Sequence, residues 1–185
     1  MLKPAITDQT ILDEIINRWS SKRFSEKTVD PDLINQILEA ARWAPSSRNG
    51  QPWRFIVAER QNEAFQKIID SMPESNSNWA QRASNLLVAN VYRPEGQDNP
   101  TAEYDVGQSV AYMVLQATNL GLSTHQIGGF DREALASKFE LDATVAPLVV
   151  IAIGYFDENT ALPEHLMKRE MAARARHPIK DLIVE

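Results

Sequence analysis

The chain has 185 residues, 43% of them hydrophobic, which suffices for one domain with its own core, and no linker marks a second. A net charge of −6 and a pI near 5.2 exclude general nucleic-acid or anionic-membrane binding, because both need a cationic surface. With no cysteine there is no disulfide framework and no thiolate chemistry, catalytic or metal-binding.

In chain order, Met1-Leu2-Lys3-Pro4 runs into a polar stretch without a signal-like apolar segment. The longest apolar run, 146–153, has the length of a strand rather than a membrane span, so a soluble cytoplasmic protein is expected. Ile11, Leu12, Ile15, Ile16 and Trp19 fall on one helical face, with Thr7 and Asp8 as caps. Asp30 and Pro31 open a second helix, since Asp accepts from free first-turn amides and Pro lacks an N–H that has no partner there. Leu33, Ile34, Ile37, Leu38 and Ala41 form its buried stripe, and Pro45 forces its exit. Residues 55–58 read as a strand and 64–71 as a short helix. The polar, proline-containing stretch 72–78 reads as a mobile lid.

Residues 86–92 form a strand, followed by a loop with Pro94, Gly96 and Pro100. The longest helix spans 102–120, with Val106, Val110, Met113, Val114 and Ala117 inward and Gly121 suited to its end. A short segment, 122–127, meets Gly128-Gly129. Asp131 caps a helix through Phe139, and 147–155 is a buried strand. A last helix over 164–173 precedes Arg174 and Arg176. The closing Asp181-Leu182-Ile183-Val184 reads as a strand that returns to its own sheet or adds to a partner's edge. Short strands with helices before, between and after them indicate an α+β or mixed-sheet domain.

Four stretches can carry chemistry. The run from Ala41 to Trp53 stops a helix with one proline and fills a loop with Ser46, Ser47, Arg48, Asn49 and Gln51. A second proline then leads into a strand. Such a loop holds a polar ligand or merely turns the chain. Arg18-Trp19-Ser20-Ser21-Lys22-Arg23-Phe24, at the end of the first helix, can bind a phosphate through guanidinium forks and hydroxyls, or can simply complement the helix dipole. Arg174 and Arg176 alternate in an extended segment and so point the same way, toward one anion or toward solvent. Gln126-Ile127-Gly128-Gly129-Phe130-Asp131 lets a ligand lie on backbone amides, or is only a turn. Two basic patches at opposite ends of an acidic chain favour convergence. His125, His165 and His177 lack metal-ligand spacing, no serine sits in a nucleophile elbow, and Glu164 and Glu170 read as solvated charges.

Together these residues resemble the nitroreductase family of flavoenzymes. The resemblance rests on Arg18-x-Ser20-x-Lys22, on Ala44-Pro45-Ser46-Ser47-x-Asn49-x-Gln51-Pro52-Trp53, on Ile127-x-Gly129-Phe130-Asp131, and on Arg174-x-Arg176-x-Pro178, in the family's order over almost the whole chain. It implies an α+β fold over 1–185 with a central, mostly antiparallel sheet flanked by helices. It also implies an intertwined homodimer with C-terminal strand exchange and FMN bound at the subunit interface. By the same resemblance Arg18, Ser20 and Arg176 hold the FMN phosphate, Arg174 assists, and Trp19 borders the site. Lys22 stands near the ribityl chain or the pyrimidine end. Pro45, Ser46, Ser47 and Asn49 come from the other subunit. Gln126, Ile127, Gly128 and Gly129 line the isoalloxazine with a backbone amide near N5, and Asn76 adds a contact.

The implied activity is NAD(P)H-dependent, ping-pong hydride transfer to nitroaromatics, quinones or a related electron-poor small molecule, with NADH or NADPH as donor and no dedicated acid or base. The alternatives are a specialised relative that dehydrogenates, dehalogenates or fragments a flavin, and a flavin-binding protein without turnover. The chain departs from the family's pattern at Trp19 (usually Arg or His), Lys22 (often Arg), Trp79 (lysine in some relatives) and Gly128 (usually larger).

Overall fold

The computed structural model describes residues 3–96 and 99–184; Met1 and Leu2 of the polar opening lie outside them. Strands β1 (Trp53–Glu59), β2 (Asn85–Tyr92), β3 (Ser123–Ile127) and β4 (Val145–Gly154) form an antiparallel sheet in the order β1-β2-β4-β3. Side chains alternate across a strand, so β2 sends Leu87, Ala89 and Val91 to one face and Leu86 and Val88 to the other. Both faces are covered, which is why β2 is buried almost throughout and apolar except at Asn85 and Asn90.

One face carries α2 (Pro31–Arg42) and α5 (Ala102–Asn119), which pack together through Ile34, Ile37, Ala41, Val106, Val110 and Met113. The other carries α3 (Glu63–Ile69), α4 (Glu74–Ala80), α6 (Arg132–Lys138) and α7 (Glu164–Met171), contributing Phe65, Ile68, Trp79, Leu135 and Leu166. The short α1 (Asp13–Asn17) rests on α5. The expected α+β architecture with an antiparallel sheet is present.

Helix ends follow local chemistry. The Asp30 carboxylate accepts from the Asp32 amide at 2.9 Å with Pro31 in the first turn, and Asp131 accepts from the Ala134 amide at 2.9 Å. At the end of α5 the Leu122 amide reaches the Ala117 carbonyl and the Gly121 amide the Thr118 carbonyl. That closure needs the left-handed backbone Gly121 adopts, with φ of 75°.

Three expectations are corrected. The first helix is shorter than its apolar periodicity: it starts after Leu12, Thr7 and Asp8 do not cap it, and it ends before Arg18. From Arg18 the chain is extended, with Ser20 bridged to Thr124 of β3 and Phe24 to Phe156 just after β4; contacts with the sheet edge outweigh a further helical turn. The stretch 72–78 is not an irregular loop. Its larger part belongs to α4, because burying Trp79 and Ala80 in the core overrides the weak helix preference of Ser and Asn. The terminal segment forms no strand within the chain. Ile179–Leu182 is a single 3-10 turn, and Leu182, Ile183 and Val184 are exposed; a strand needs a neighbour for its backbone groups.

Trp79→Ala should cost about 3–5 kcal/mol in chemical denaturation, the expected loss for a fully buried tryptophan. The α4 amides should show slow hydrogen exchange in the wild type. Exchange at loop rates would contradict the docked helix.

Candidate functional site

The segment after α1 is extended, and its side chains alternate. Arg18, Ser20 and Lys22 line a cavity of about 260 Å³ with Trp19, while Ser21 and Arg23 point into the protein and are buried. The far side of the cavity is Arg169, Glu170 and the chain from Ala172 to Arg176, including Arg174 and Arg176. The two basic patches of the sequence therefore converge. Trp19 packs edge-on against Phe156, with ring centroids 5.6 Å apart, and carries the Lys3 ammonium 5.0 Å from its centroid.

Main-chain contacts hold this frame. The Arg174 guanidinium donates to the carbonyls of Lys3 at 2.7 Å and Ile16 at 2.8 Å, clipping the C-terminal segment to the N-terminal one. Lys3 in turn donates to the carbonyls of Glu170 and Ala172, the unsatisfied end of α7. The Arg18 guanidinium reaches Ser20 Oγ at 3.5 Å. Arg176 donates only to the Ala175 carbonyl at 2.7 Å among the described residues and is exposed.

The cations are poorly compensated. Burial pulls the Arg18 pKa below its usual value and the nearby Arg176 charge adds to this. Burial does the same at Arg174, followed by repulsion from Arg18 and Arg176. Lys22 is likewise lowered, first by burial, with Glu170 opposing and Arg169 adding. A half-buried cavity that crowds like charges together is suited to a multiply charged anion.

β3, to which Ser20 is bridged at Thr124, ends in the Gly128-Gly129 turn. Neither glycine has a positive φ, so backbone freedom is not what glycine supplies here. At Gly129 the reason is space: a Cβ would lie 2.9 Å from the Asn76 amide nitrogen, which donates to the Gly129 carbonyl at 2.8 Å. A Cβ on Gly128 would meet nothing within 4 Å, so this position is open. Gln126 is exposed, whereas the Ile127 side chain is buried in the core and only its main chain can face a ligand.

The Pro45–Trp53 loop lies elsewhere. β1, which it enters, and β3, which leads to the glycine pair, are opposite edges of the sheet, three strand spacings or roughly 14 Å apart. Arg48, Asn49 and Gln51 have φ of 53°, 56° and 46°, left-handed conformations that side chains resist. They are held by hydrogen bonds from the Ser47 amide to the buried Asp105 carboxylate (3.1 Å) and from the Gln51 amide to Ser46 Oγ (3.0 Å). Pro45, Ser47 and Asn49 are exposed and Ser46 is half-buried. One chain thus joins Arg18, Trp19, Ser20, Lys22, Arg174 and Arg176, and separately joins Asn76 to Gly129, but leaves Pro45, Ser46, Ser47 and Asn49 on the other edge.

Two titratable groups, the buried Glu170 and the half-buried His125, escape a sequence reading. Glu170, expected to be solvated, is 4% exposed and accepts from Ser21 Oγ at 2.7 Å and from the Lys22 amide at 3.2 Å. Its four-residue spacing from the buried Leu166 was the available signal. His125 packs 4.5 Å from the Trp79 ring, and its Nδ1–H donates to the carbonyls of Ser20 (3.1 Å) and Ser21 (3.2 Å). Among the described residues no group of three His, Cys, Asp or Glu is placed to hold a metal ion, and no helix is long and apolar enough to cross a membrane.

Comparison with known proteins gives a consistent picture. The nitroreductase family model matches residues 15–90 and 72–155. A Mycolicibacterium smegmatis protein, described only as an uncharacterized 15.4 kDa protein, is 31% identical over 134 residues, 66% of this chain and 88% of that protein. A Rhodopseudomonas palustris (strain TIE-1) protein provisionally named NADH dehydrogenase/NAD(P)H nitroreductase is 26% identical over 171 residues, 80% of this chain and 84% of that one. A crystal structure described as an oxidoreductase containing FMN superposes with a TM-score of 0.91 at 27% identity, covering 97% of this chain and 93% of that chain.

His125 yields a pH prediction. Burial first, then the Lys22 charge, push its pKa from 6.5 down to about 4, against the opposing pull of the Ser20 and Ser21 carbonyls. Its contribution to stability is complete above pH 6.5. It is lost as pH falls from about 6.5 to about 4, where the unfolded chain binds the extra proton, and the loss approaches about 3 kcal/mol. Urea titrations across this range should show a flatter pH dependence for His125→Asn than for the wild type.

Proposed function

The chain belongs to the nitroreductase family, and from that membership we propose that it is an FMN-dependent NAD(P)H oxidoreductase. The observation that carries the reading is the meeting of Arg18, Arg174 and Arg176, from opposite ends of the sequence, around one cavity where burial first, and neighbouring cations second, lower the pKa of Arg18 and Arg174. A phosphate monoester dianion matches that donor set in charge and geometry. When bound, FMN supplies hydride acceptance from a reduced nicotinamide and hydride donation to an electron-poor small molecule such as a nitroaromatic or quinone.

Arg18, Ser20 and Arg176 would hold the phosphate. Arg174 would contribute charge while its Nη1 remains committed to the Lys3 and Ile16 carbonyls. Lys22, held 5.6 Å from the Trp79 ring centroid, offers a positive charge beyond the phosphate end. The Gly128-Gly129 turn, fixed by Asn76, offers main-chain donors and an open approach, with Gln126 beside it and Trp19 at the phosphate end. These residues bind, orient and leave one side accessible; no side-chain acid or base is required.

The cavity of one chain is smaller than the roughly 300–1,000 Å³ usual for small-molecule pockets, which supports a site completed by another copy. Pro45, Ser46, Ser47 and Asn49 would supply them across a homodimer interface. The β1 edge is unpaired within the described residues, and the exposed Ile183 and Val184 would pair with it as an exchanged strand. A single domain over 1–185 and a cytoplasmic location complete the proposal.

Rapid anaerobic mixing of FMN-loaded protein with NADH and with NADPH should bleach the flavin absorbance with at least one donor. Slow bleaching with both in excess would contradict the oxidoreductase assignment and favour flavin storage or sensing. Arg18→Ala and Arg176→Ala should each weaken FMN binding by about 1.5–3 kcal/mol, read by fluorescence quenching. Removing residues 181–185 should abolish the dimer in light scattering; a stable, FMN-loaded truncated dimer would contradict strand exchange.

A further inference from the structure

The side chains that would bind phosphate sit on a segment with no helix or full strand of its own. Arg18, Ser20 and Lys22 face the cavity only while residues 18–23 stay extended and in register with β3. One parallel bridge, Ser20 to Thr124, is weak support for that register. Two side chains, the half-buried His125 and the buried Glu170, hold the segment from opposite sides.

From the β3 side, His125 Nδ1–H donates to the Ser20 and Ser21 carbonyls. From the α7 side, one Glu170 oxygen accepts the Ser21 hydroxyl at 2.7 Å, and both oxygens lie within reach of the Lys22 amide, at 3.2 and 3.4 Å. Ser21 Oγ then accepts the Arg23 amide at 3.0 Å, which extends the hold by a further residue. Glu170 is itself fixed at the end of α7, where Lys3 takes up its carbonyl.

We propose that Glu170 is a positioning residue for the anion site, its buried carboxylate holding Ser21 and Lys22 so that Arg18, Ser20 and Lys22 point together into the cavity. This rests on the FMN assignment above and adds to it a residue that need not touch the cofactor. The sign of its effect separates positioning from simple electrostatics. A carboxylate beside a phosphate site repels phosphate, so if Glu170 acted only through its charge, removing it would tighten FMN binding. If it acts through its hydrogen bonds, removal loosens the segment and weakens binding, because donors no longer preorganised must be ordered on binding.

The test uses the full-length protein and the dissociation constants of FMN and of riboflavin, which lacks the phosphate. Wild type should prefer FMN over riboflavin; equal affinity for the two would overturn the phosphate assignment itself, independently of Glu170. Glu170→Ala should weaken FMN binding tenfold or more and riboflavin binding by a clearly smaller factor. Glu170→Gln, which keeps an acceptor and loses the charge, should recover at least half of that loss on a logarithmic scale. Should Glu170→Ala fail to fold, Ser21→Ala takes its place with a loss of threefold or more for FMN alone. An FMN affinity equal to or tighter than wild type in the tested alanine variant, equal losses for FMN and riboflavin, or no recovery in Glu170→Gln would overturn the positioning role.

Discussion

Like charges crowded around one half-exposed cavity are the constraint on which this structure turns. Arg18, Lys22, Arg174 and Arg176 border one small cavity, and burial lowers the affinity of the first three for their protons. Such an arrangement persists only if something fixes it. Here the chain's two ends do so: Arg174 is tied to N-terminal carbonyls, Lys3 to the end of α7, and Glu170 to the segment that carries Ser20 and Lys22. Repulsion among the cations is then a store of binding energy for an anion, in keeping with the clustering of perturbed groups at functional sites.

The sheet order imposes a second constraint. With β1 and β3 on opposite edges, the strained loop entering β1 and the glycine turn leaving β3 serve different surfaces of one chain. Three left-handed side-chain-bearing residues in four positions, stabilised by a buried Asp105, mark that loop as shaped for more than a connection. In the proposed dimer each loop completes the other copy's site. The β1 edge and the exposed C-terminal residues, unpaired in one chain, then acquire partners.

Much of the fold was legible locally. Asp30-Pro31, Asp131 and Gly121 act at helix ends as their chemistry requires, and the apolar stripes of α2 and α5 face the sheet. Legibility failed where a distant contact decides the outcome. The 72–78 stretch has loop-like composition, yet Trp79 pulls it into a helix by filling the core. The Arg18-x-Ser20-x-Lys22 spacing is strand-like, but only pairing with β3 reveals that, after helical periodicity has run past Asn17. Glu170 carries the residue type most often solvated, and its burial depends on Ser21, 149 positions away. The terminal apolar residues read as a strand in sequence, yet in one chain Ile179–Leu182 is a 3-10 turn and Ile183 and Val184 are exposed, because no edge pairs with them there.

The central claim is that FMN occupies a site built from two copies of this chain. Native mass spectrometry of the FMN-reconstituted protein addresses it in one measurement, because it reports chain number and cofactor load of the same particle. A species of two chains carrying two FMN is expected, with no FMN retained on any single chain. A single chain that holds FMN would contradict a shared site.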